Sequence, residues 1–332
     1  MSMDKRILLA KLLRLIRLLG PSARLFVEGL EKALEDGDVS ALYHYSTMIK
    51  RDTYLERPRP RWPGFFKHCR GKHYELPEPL RASGMDALEA IRRRRSRRSY
   101  SSSPLSLEEV ATLLYYGVGI TGWDNEWPLR SYPCAGGLQP VEAYLVAENA
   151  EDLPPGLYHY EPDTHRLCLM RRGRYLGELA EICLGQEHVA EAPAAIILTA
   201  MYQRTASKYH AKAYRYIHVD TGAVVENIYI VAEALGLATV VIGAFYDQEL
   251  CSMSTPYLCH TRRITATTST SATTSRLRRL ATRSSTMNLL GLSRENLVRN
   301  LIAAMLVNKP CVSPMLAEPM AIMPRLLKAV AK

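Results

Sequence analysis

The chain has 332 residues, 47% of them hydrophobic, and carries 43 Lys and Arg against 33 Asp and Glu, a formal net charge of +10. That is enough for a substantial core in one large domain with appendages, or in two domains, and no apolar run reaches the roughly 18 residues of a bilayer span. Much of the basic excess sits in Arg92–Arg98 and Arg262–Arg283, without interleaved aromatics or a recurring basic helix face, which argues against a nucleic-acid binder.

The N-terminus, MSMDKRILLAKLLRLIRLLG, is amphipathic and broken by Lys11, Arg14 and Arg17. With no small-residue cleavage site after it, it reads as a surface or dimer helix over Ile7–Leu19 rather than a signal peptide, with a membrane-surface helix as the lesser alternative. Ala23–Leu34 is predicted as a second helix, closed by Asp36-Gly37-Asp38, and Ala41–Lys50 as a third. RPRPRWPG, Arg57–Gly64, is too rich in proline for regular structure, and the chain through Leu80 reads as an extended arm laid over a surface.

A short helix over Met85–Ile91 leads into IRRRRSRRSY, which packs Arg92, Arg93, Arg94, Arg95, Arg97 and Arg98 around Ser96. Forked, permanently charged guanidinium donors suit phosphate oxygens, and Ser96 adds a hydroxyl. The same run also fits an ordinary solvated basic face. Leu105–Tyr116 is predicted as a helix with Ser106 as N-cap and Glu109 completing a capping box, and Gly117–Trp127 as a loop. In PCAGGLQP, Pro133–Pro140, Gly136-Gly137 lets the backbone turn and a flat ligand approach without a Cβ in the way; an ordinary tight turn is the alternative.

Val141–Ala147 alternates like a strand, and Leu157–Tyr160 with Leu167–Met170 forms a predicted hairpin through Pro162-Asp163. Arg174–Ile182 is a short helix and Ala194–Ala200 a buried strand. KYHAKAYRY, Lys208–Tyr216, leads into a long helix whose Val224, Ile228, Val231 and Leu235 share one face, closed by Gly236. Ala238–Ile242 is predicted as another buried strand, followed by Gly243-Ala244-Phe245. No GxGxxG follows a strand, so a dinucleotide-binding Rossmann unit is not supported.

From Cys251 the composition changes. Residues 251–287 are nearly half Ser and Thr, and no acidic residue occurs between Glu249 and Glu295. We hypothesise that this tail is foreign to the original core, as a shifted reading frame near Leu250 would make it. Sequencing the coding DNA tests this: an alternative frame without a coherent strand after Leu250 ends the idea. The seven cysteines are odd in number and lack CxxC spacing, so reduced thiols in a cytoplasm are the default and no metal site is indicated.

Taken together, RRSRRSY, PCAGGLQP, KYHAKAYRY, the Asp220–Gly236 helix and IGAF resemble the flavin-dependent nitroreductase superfamily, on the side of its SagB-type (thiazole- and oxazole-forming) dehydrogenases, over about Ala41–Leu250. The resemblance implies an α+β fold with a mainly antiparallel sheet flanked by helices, an intertwined homodimer, and FMN at the subunit interface. It divides the chain into an N-terminal part (1–80), an FMN-binding domain (81–250) and the atypical tail (251–332). Arg94, Arg95, Ser96 and Arg98 match the family's phosphate-holding pattern. Pro133, Cys134, Ala135, Gly136, Gly137 and Leu138 match the segment along the ribityl chain and ring, with Cys134 in place of the usual Ser, a weaker hydrogen-bonding group. Ile242, Gly243 and Ala244 match the backbone that passes near flavin N5.

Lys208 and Tyr209 match the pair that azoline-oxidising members place near the flavin, a base and a proton relay. The family's Pro-x-Gly-x-Pro-like ending is absent, replaced by the tail. The implied function is an FMN-dependent oxidoreductase with ping-pong hydride transfer, NAD(P)H as a possible electron donor, and a small-molecule or peptide substrate. A non-catalytic flavin-fold protein is the alternative, motivated by the altered C-terminus.

Overall fold

The computed structural model describes residues 21–36, 40–48, 61–81 and 84–254. The predicted helix over Ile7–Leu19 and the Ser/Thr-rich tail beyond Ser254 lie outside these, while the first four residues of that tail, Cys251–Ser254, are described and end a helix. The described residues open with α1 (Pro21–Asp36) and α2 (Ser40–Thr47), close to their predicted spans. The arm then contributes a strand of its own, β1 (Lys72–Glu75), and α3 (Ala87–Arg93) starts at Asp86, whose carboxylate accepts from the Leu88 and Glu89 N–H groups at 2.9 and 3.0 Å.

The capping box predicted for α4 (Leu107–Val118) has both halves in place: Ser106 Oγ accepts from Glu109 N–H at 3.1 Å and Glu109 from Ser106 N–H at 2.8 Å. Where a loop was expected, β2 (Ile120–Asp124) and β3 (Trp127–Arg130) form a hairpin, turning at Asn125 with φ 53°. Gly122 and Pro128 weaken its strand pattern, and backbone pairing rather than side-chain alternation defines it.

β4 (Val141–Ala147), β5 (Gly156–Glu161), β6 (Arg166–Arg172) and β7 (Ala194–Ala200) follow, with α5 (Leu176–Ile182) before β7. The five-stranded sheet runs β1-β6-β5-β4-β7, and each neighbouring pair is antiparallel. Two helices follow where one was predicted: α6 (Tyr202–Tyr209) and α7 (Ala213–Ala234), separated by a break at His210 with φ 54°. KYHAKAYRY therefore straddles a kink.

Gly236, with φ 73°, closes α7: its N–H donates to Glu233 O at 3.1 Å and that of Leu237 to Ala232 O at 2.8 Å, the reciprocal pattern of a left-handed helix end. The buried strand expected over Ala238–Ile242 does not form. Its backbone meets one arginine N–H (Arg97 to Thr239 O, 2.9 Å) and one phenol (Val241 N–H to Tyr229 Oη, 2.8 Å), so no ladder can propagate. α8 (Asp247–Ser254) ends the described chain.

Strand alternation sorts the sheet into two unlike faces. One carries Val141, Ala143, Leu145, Tyr158, Tyr160 and Leu167 and packs on Val110, Leu114 and Val118 of α4 and Val224 of α7. The other is split. Tyr144, Val146, Leu157 and Ile197 pack on Leu176, Leu179 and Ile182 of α5 and Leu250 and Met253 of α8. Beside them the same face carries Glu142, His159, Glu161 and Cys168, all buried, and the arm covers this polar half.

Among the described residues, the default expectation of reduced thiols is corrected at Cys69 and Cys168. Cys69 on the arm and Cys168 on β6 form a disulfide with Cα atoms 6.1 Å apart, because β1 lays the arm antiparallel to β6. Among the described residues no helix is long and apolar enough to cross a membrane.

Candidate active site

The glycine turn predicted from PCAGGLQP forms a 3-10 turn over Ala135–Gly137 between β3 and β4, with Gly136 at φ 65° and Gly137 at φ 69°. This left-handed backbone strains any residue with a Cβ. Built on Gly136, a Cβ would lie 2.8 Å from Tyr209 Oη and 3.0 Å from Lys208 Nζ. The structure therefore brings the Lys-Tyr pair of α6 directly onto the turn. On Gly137 a Cβ would meet only the Trp127 ring, at 3.7 Å.

Asp220 on α7 supports this turn, and sequence reasoning missed it. It is 2% exposed; its carboxylate accepts from Ala135 N–H at 3.2 and 3.4 Å and from the Cys134 thiol at 3.3 Å. The Cys134 sulfur accepts in turn from Gln139 N–H at 3.1 Å, closing a ring of contacts around the turn. Burial, then the Asp220 charge, pushes the Cys134 thiol up to about 12, so it is a proton donor here and not a nucleophile. Burial also raises the Asp220 carboxyl above the usual range, against the opposing pull of its two donors.

Behind the turn stands a buried ionic group, also unforeseen. Arg204, the third residue of α6, donates to Gln139 O and Gly64 O at 2.7 Å each and pairs with Glu142 at 2.5 Å. Glu142 meets His159 at 2.7 Å. Burial alone would raise Glu142, but Arg204 and His159 outweigh it and hold the carboxyl at about 2. Lys67 of the arm donates to Tyr144 Oη at 2.5 Å; burial lowers its pKa despite Glu142 nearby. One arginine thus ties the arm, the end of the glycine turn and β4 together.

The six arginines around Ser96 are not equivalent. Glu89 holds Arg92 through two bonds of 2.7 Å, and buried Glu233 of α7 holds Arg97 and, at 3.4 Å, Arg93. Arg94 stacks over the Tyr229 ring at 5.1 Å, with a long 3.9 Å approach to Glu226. Among the described residues neither Arg95 nor Arg98 has a carboxylate partner, and both are exposed. Carboxylates thus take up three arginines that the phosphate pattern does not use.

Ser96 Oγ lies 2.9 Å from Tyr229 Oη, the atom that also accepts from Val241 N–H, so the arginine run and the Ile242-Gly243-Ala244 segment meet at Tyr229. Gly243 and Ala244 are exposed and Ile242 half-buried, with the Gln186 amide 3.4 Å from Ala244 O.

The predicted residues thus fall into two clusters on one helix: the glycine turn with Lys208 and Tyr209 at Asp220, and the arginines with the 242–244 segment at Tyr229. Nine residues separate these anchors, about 14 Å along the helix axis. A ligand touching both is elongated, or two copies of the chain each supply one cluster.

The model of the nitroreductase family matches residues 91–254. Protein MJ1384 of Methanocaldococcus jannaschii, whose own nitroreductase assignment is provisional, is 36% identical over 162 residues, 49% of this chain and 80% of that protein. The chain belongs to the nitroreductase family, a family of oxidoreductases that generally use flavins. Its affinity for the SagB-type branch is supported by the microcin B17-processing protein McbC of Escherichia coli, 27% identical over 123 residues, 36% of this chain and 45% of that one. A crystal structure from Anabaena variabilis, also provisionally assigned as a nitroreductase, aligns over 65% of this chain and 43% of its own at 26% identity and a TM-score of 0.49.

Proposed function

We propose that the chain is an FMN-dependent oxidoreductase that takes electrons from one substrate, releases it, and passes them to a second. The packing of Lys208 and Tyr209 against Gly136 carries this reading. The turn presents backbone without a Cβ beside the Lys-Tyr pair, which fits the edge of a flat ring system, and the chemistry of Arg94, Arg95, Arg98 and Ser96 fits a phosphate. When bound, the flavin supplies hydride transfer at N5.

Everything else falls to this chain's own groups. Asp220 and Arg204 hold the glycine turn in shape. Arg94, Arg95 and Arg98 neutralise the phosphate. Backbone N–H groups of the Ile242–Ala244 segment would offset negative charge on the bound ring. Tyr209 Oη and Lys208 Nζ hold or move a proton at the substrate atom opposite the ring. Pro133 and Leu138 frame the turn. The separation of the two clusters favours a homodimer in which each site draws on both chains. The likeness to McbC favours a peptide substrate of the SagB-type dehydrogenases over a nitro compound; NAD(P)H is the electron donor to try first, and the cytoplasm the expected compartment.

The test is the absorbance of purified protein with its size in solution. The reading expects a yellow dimer bleached by NADPH or dithionite. Colourless protein that takes up no added FMN would overturn it. Given flavin, Tyr209→Phe and Lys208→Ala are expected to keep it and lose about a hundredfold in turnover.

A further inference from the structure

Away from the glycine turn, the polar half of the sheet gathers groups that the oxidoreductase reading leaves unused. We propose that the reduced Cys69–Cys168 pair forms, with Glu161 and His73, a binding site for a borderline divalent cation of the zinc class.

The sulfurs of Cys69 and Cys168 and a carboxylate oxygen of Glu161 lie within 4.8 Å of one another. The Glu161 side chain is fully buried. Its Oε1 accepts from Cys69 N–H at 2.9 Å, whereas Oε2 is buried without a hydrogen bond. His73 stands directly across from Cys168 in the β1–β6 register, and its Nε2 is 3.2 Å from Glu161 Oε2. Two ligand atoms bound at zinc–nitrogen and zinc–oxygen lengths on a tetrahedral ion are about 3.3 Å apart. Gly71 N–H donates to Cys168 Sγ at 3.2 Å, the kind of outer contact that steadies a metal thiolate. A Cβ on Gly71 would lie 1.8 Å from Leu169 O, so glycine is what lets the arm come this close.

Charge decides what the site holds in each state. With the sulfurs joined, Glu161 is answered by His73, by His68 and Arg166 at 3.6 Å each, and His68 also faces Asp163 at 3.5 Å. His159, opposite Cys168 on β5, is occupied by Glu142. A dithiol or a phosphine supplies the two electrons that break the S–S bond. Each sulfur gains a proton, and the dithiol, which gives up its own two protons, leaves as its disulfide, or the phosphine leaves as its oxide, with water supplying the oxygen and both protons. A dication then displaces both thiol protons, and two thiolates and a carboxylate are left around it. The sequence hides this site because its two cysteines are 99 residues apart.

The test reduces the full chain with a phosphine, desalts it without oxygen, and titrates it with Co²⁺. The expected result is one ion per chain, with a thiolate-to-cobalt band and the visible bands of a tetrahedral ion. Cys69→Ser and Cys168→Ser should each diminish the thiolate band, and His73→Ala and Glu161→Gln should weaken binding at least tenfold. An unmutated control avoids dependence on variant folding: Zn²⁺ should protect Cys69 and Cys168 from alkylation in reduced wild-type protein. Absence of binding by the reduced chain, an unchanged band in the double cysteine variant, or equal alkylation with and without Zn²⁺ would each overturn the proposal.

Discussion

The phenol oxygen of Tyr209 stands over Gly136, 2.8 Å from the point a Cβ would occupy, although 73 residues separate the two in the chain. Gly136→Ala and Gly137→Ala therefore make a discriminating pair. Both force a left-handed backbone on a residue with a Cβ, which costs about 1–2 kcal/mol. The alanine at 136 also pushes on Tyr209 and Lys208, whereas that at 137 touches the Trp127 ring at ordinary contact distance. Flavin titration by fluorescence is expected to show at least a tenfold loss for G136A and a clearly smaller one for G137A. Equal losses would contradict the packing argument.

Asp220 is expected to act through the turn it holds. Asp220→Ala leaves the Ala135 N–H and the Cys134 thiol without their acceptor. Flavin affinity should drop about tenfold, the worth of a charge-assisted hydrogen bond. Asp220→Asn keeps one acceptor oxygen and should fall between. Cys134→Ser replaces a weak donor by a stronger one and should tighten flavin binding about fivefold. The same titration reads all three.

The division among the arginines predicts a ligand-dependent contrast. Arg94→Ala and Arg98→Ala should weaken FMN about tenfold and leave riboflavin, which lacks the phosphate, nearly unaffected. Arg97→Ala should instead lower the thermal midpoint, by leaving Glu233 short of a partner, and keep the preference for FMN over riboflavin. Parallel titrations with the two flavins, beside melting curves, separate these outcomes.

Glu142 predicts acid sensitivity of a definite sign. Its carboxyl is held at about 2 in the folded chain against an ordinary 4.5, so the unfolded chain binds its proton first. The contribution is present above about pH 4.5 and is lost as pH falls toward 2; at neutral pH it amounts to about 3 kcal/mol. Glu142→Gln should be destabilised by about that amount or more at pH 7, since it strands the Arg204 charge, and its deficit should hold down to about pH 4.5 and shrink below it. Denaturant unfolding between pH 7 and pH 3 measures the trend. A deficit independent of pH would refute it.

Features set by neighbouring residues were legible in the sequence. The Ser106–Glu109 box, the two glycines at 136 and 137 and the apolar run of β7 each carry their cause within a few positions. What escaped depended on distant partners. Asp220 precedes Val224 by one helical step on the buried stripe of α7, and a carboxylate on that stripe was the available signal. Its partner Ala135 lies 85 residues away. Ala238–Ile242 failed the other way: it has the composition of a buried strand, but the fold gives it no strand to pair with. Glu233 and Arg204 were unreadable for the same reason, each being explained by groups on other elements.

The arm that hides the charged half of the sheet starts and ends before residue 91, where the family-wide pattern begins. A fragment trimmed to that pattern would lose the edge strand, the lysine over Tyr144 and the backbone donor to Glu161 in one cut, and two carboxylates would face solvent without their dry surroundings. Anyone seeking a minimal catalytic unit should therefore place its first residue ahead of Arg61.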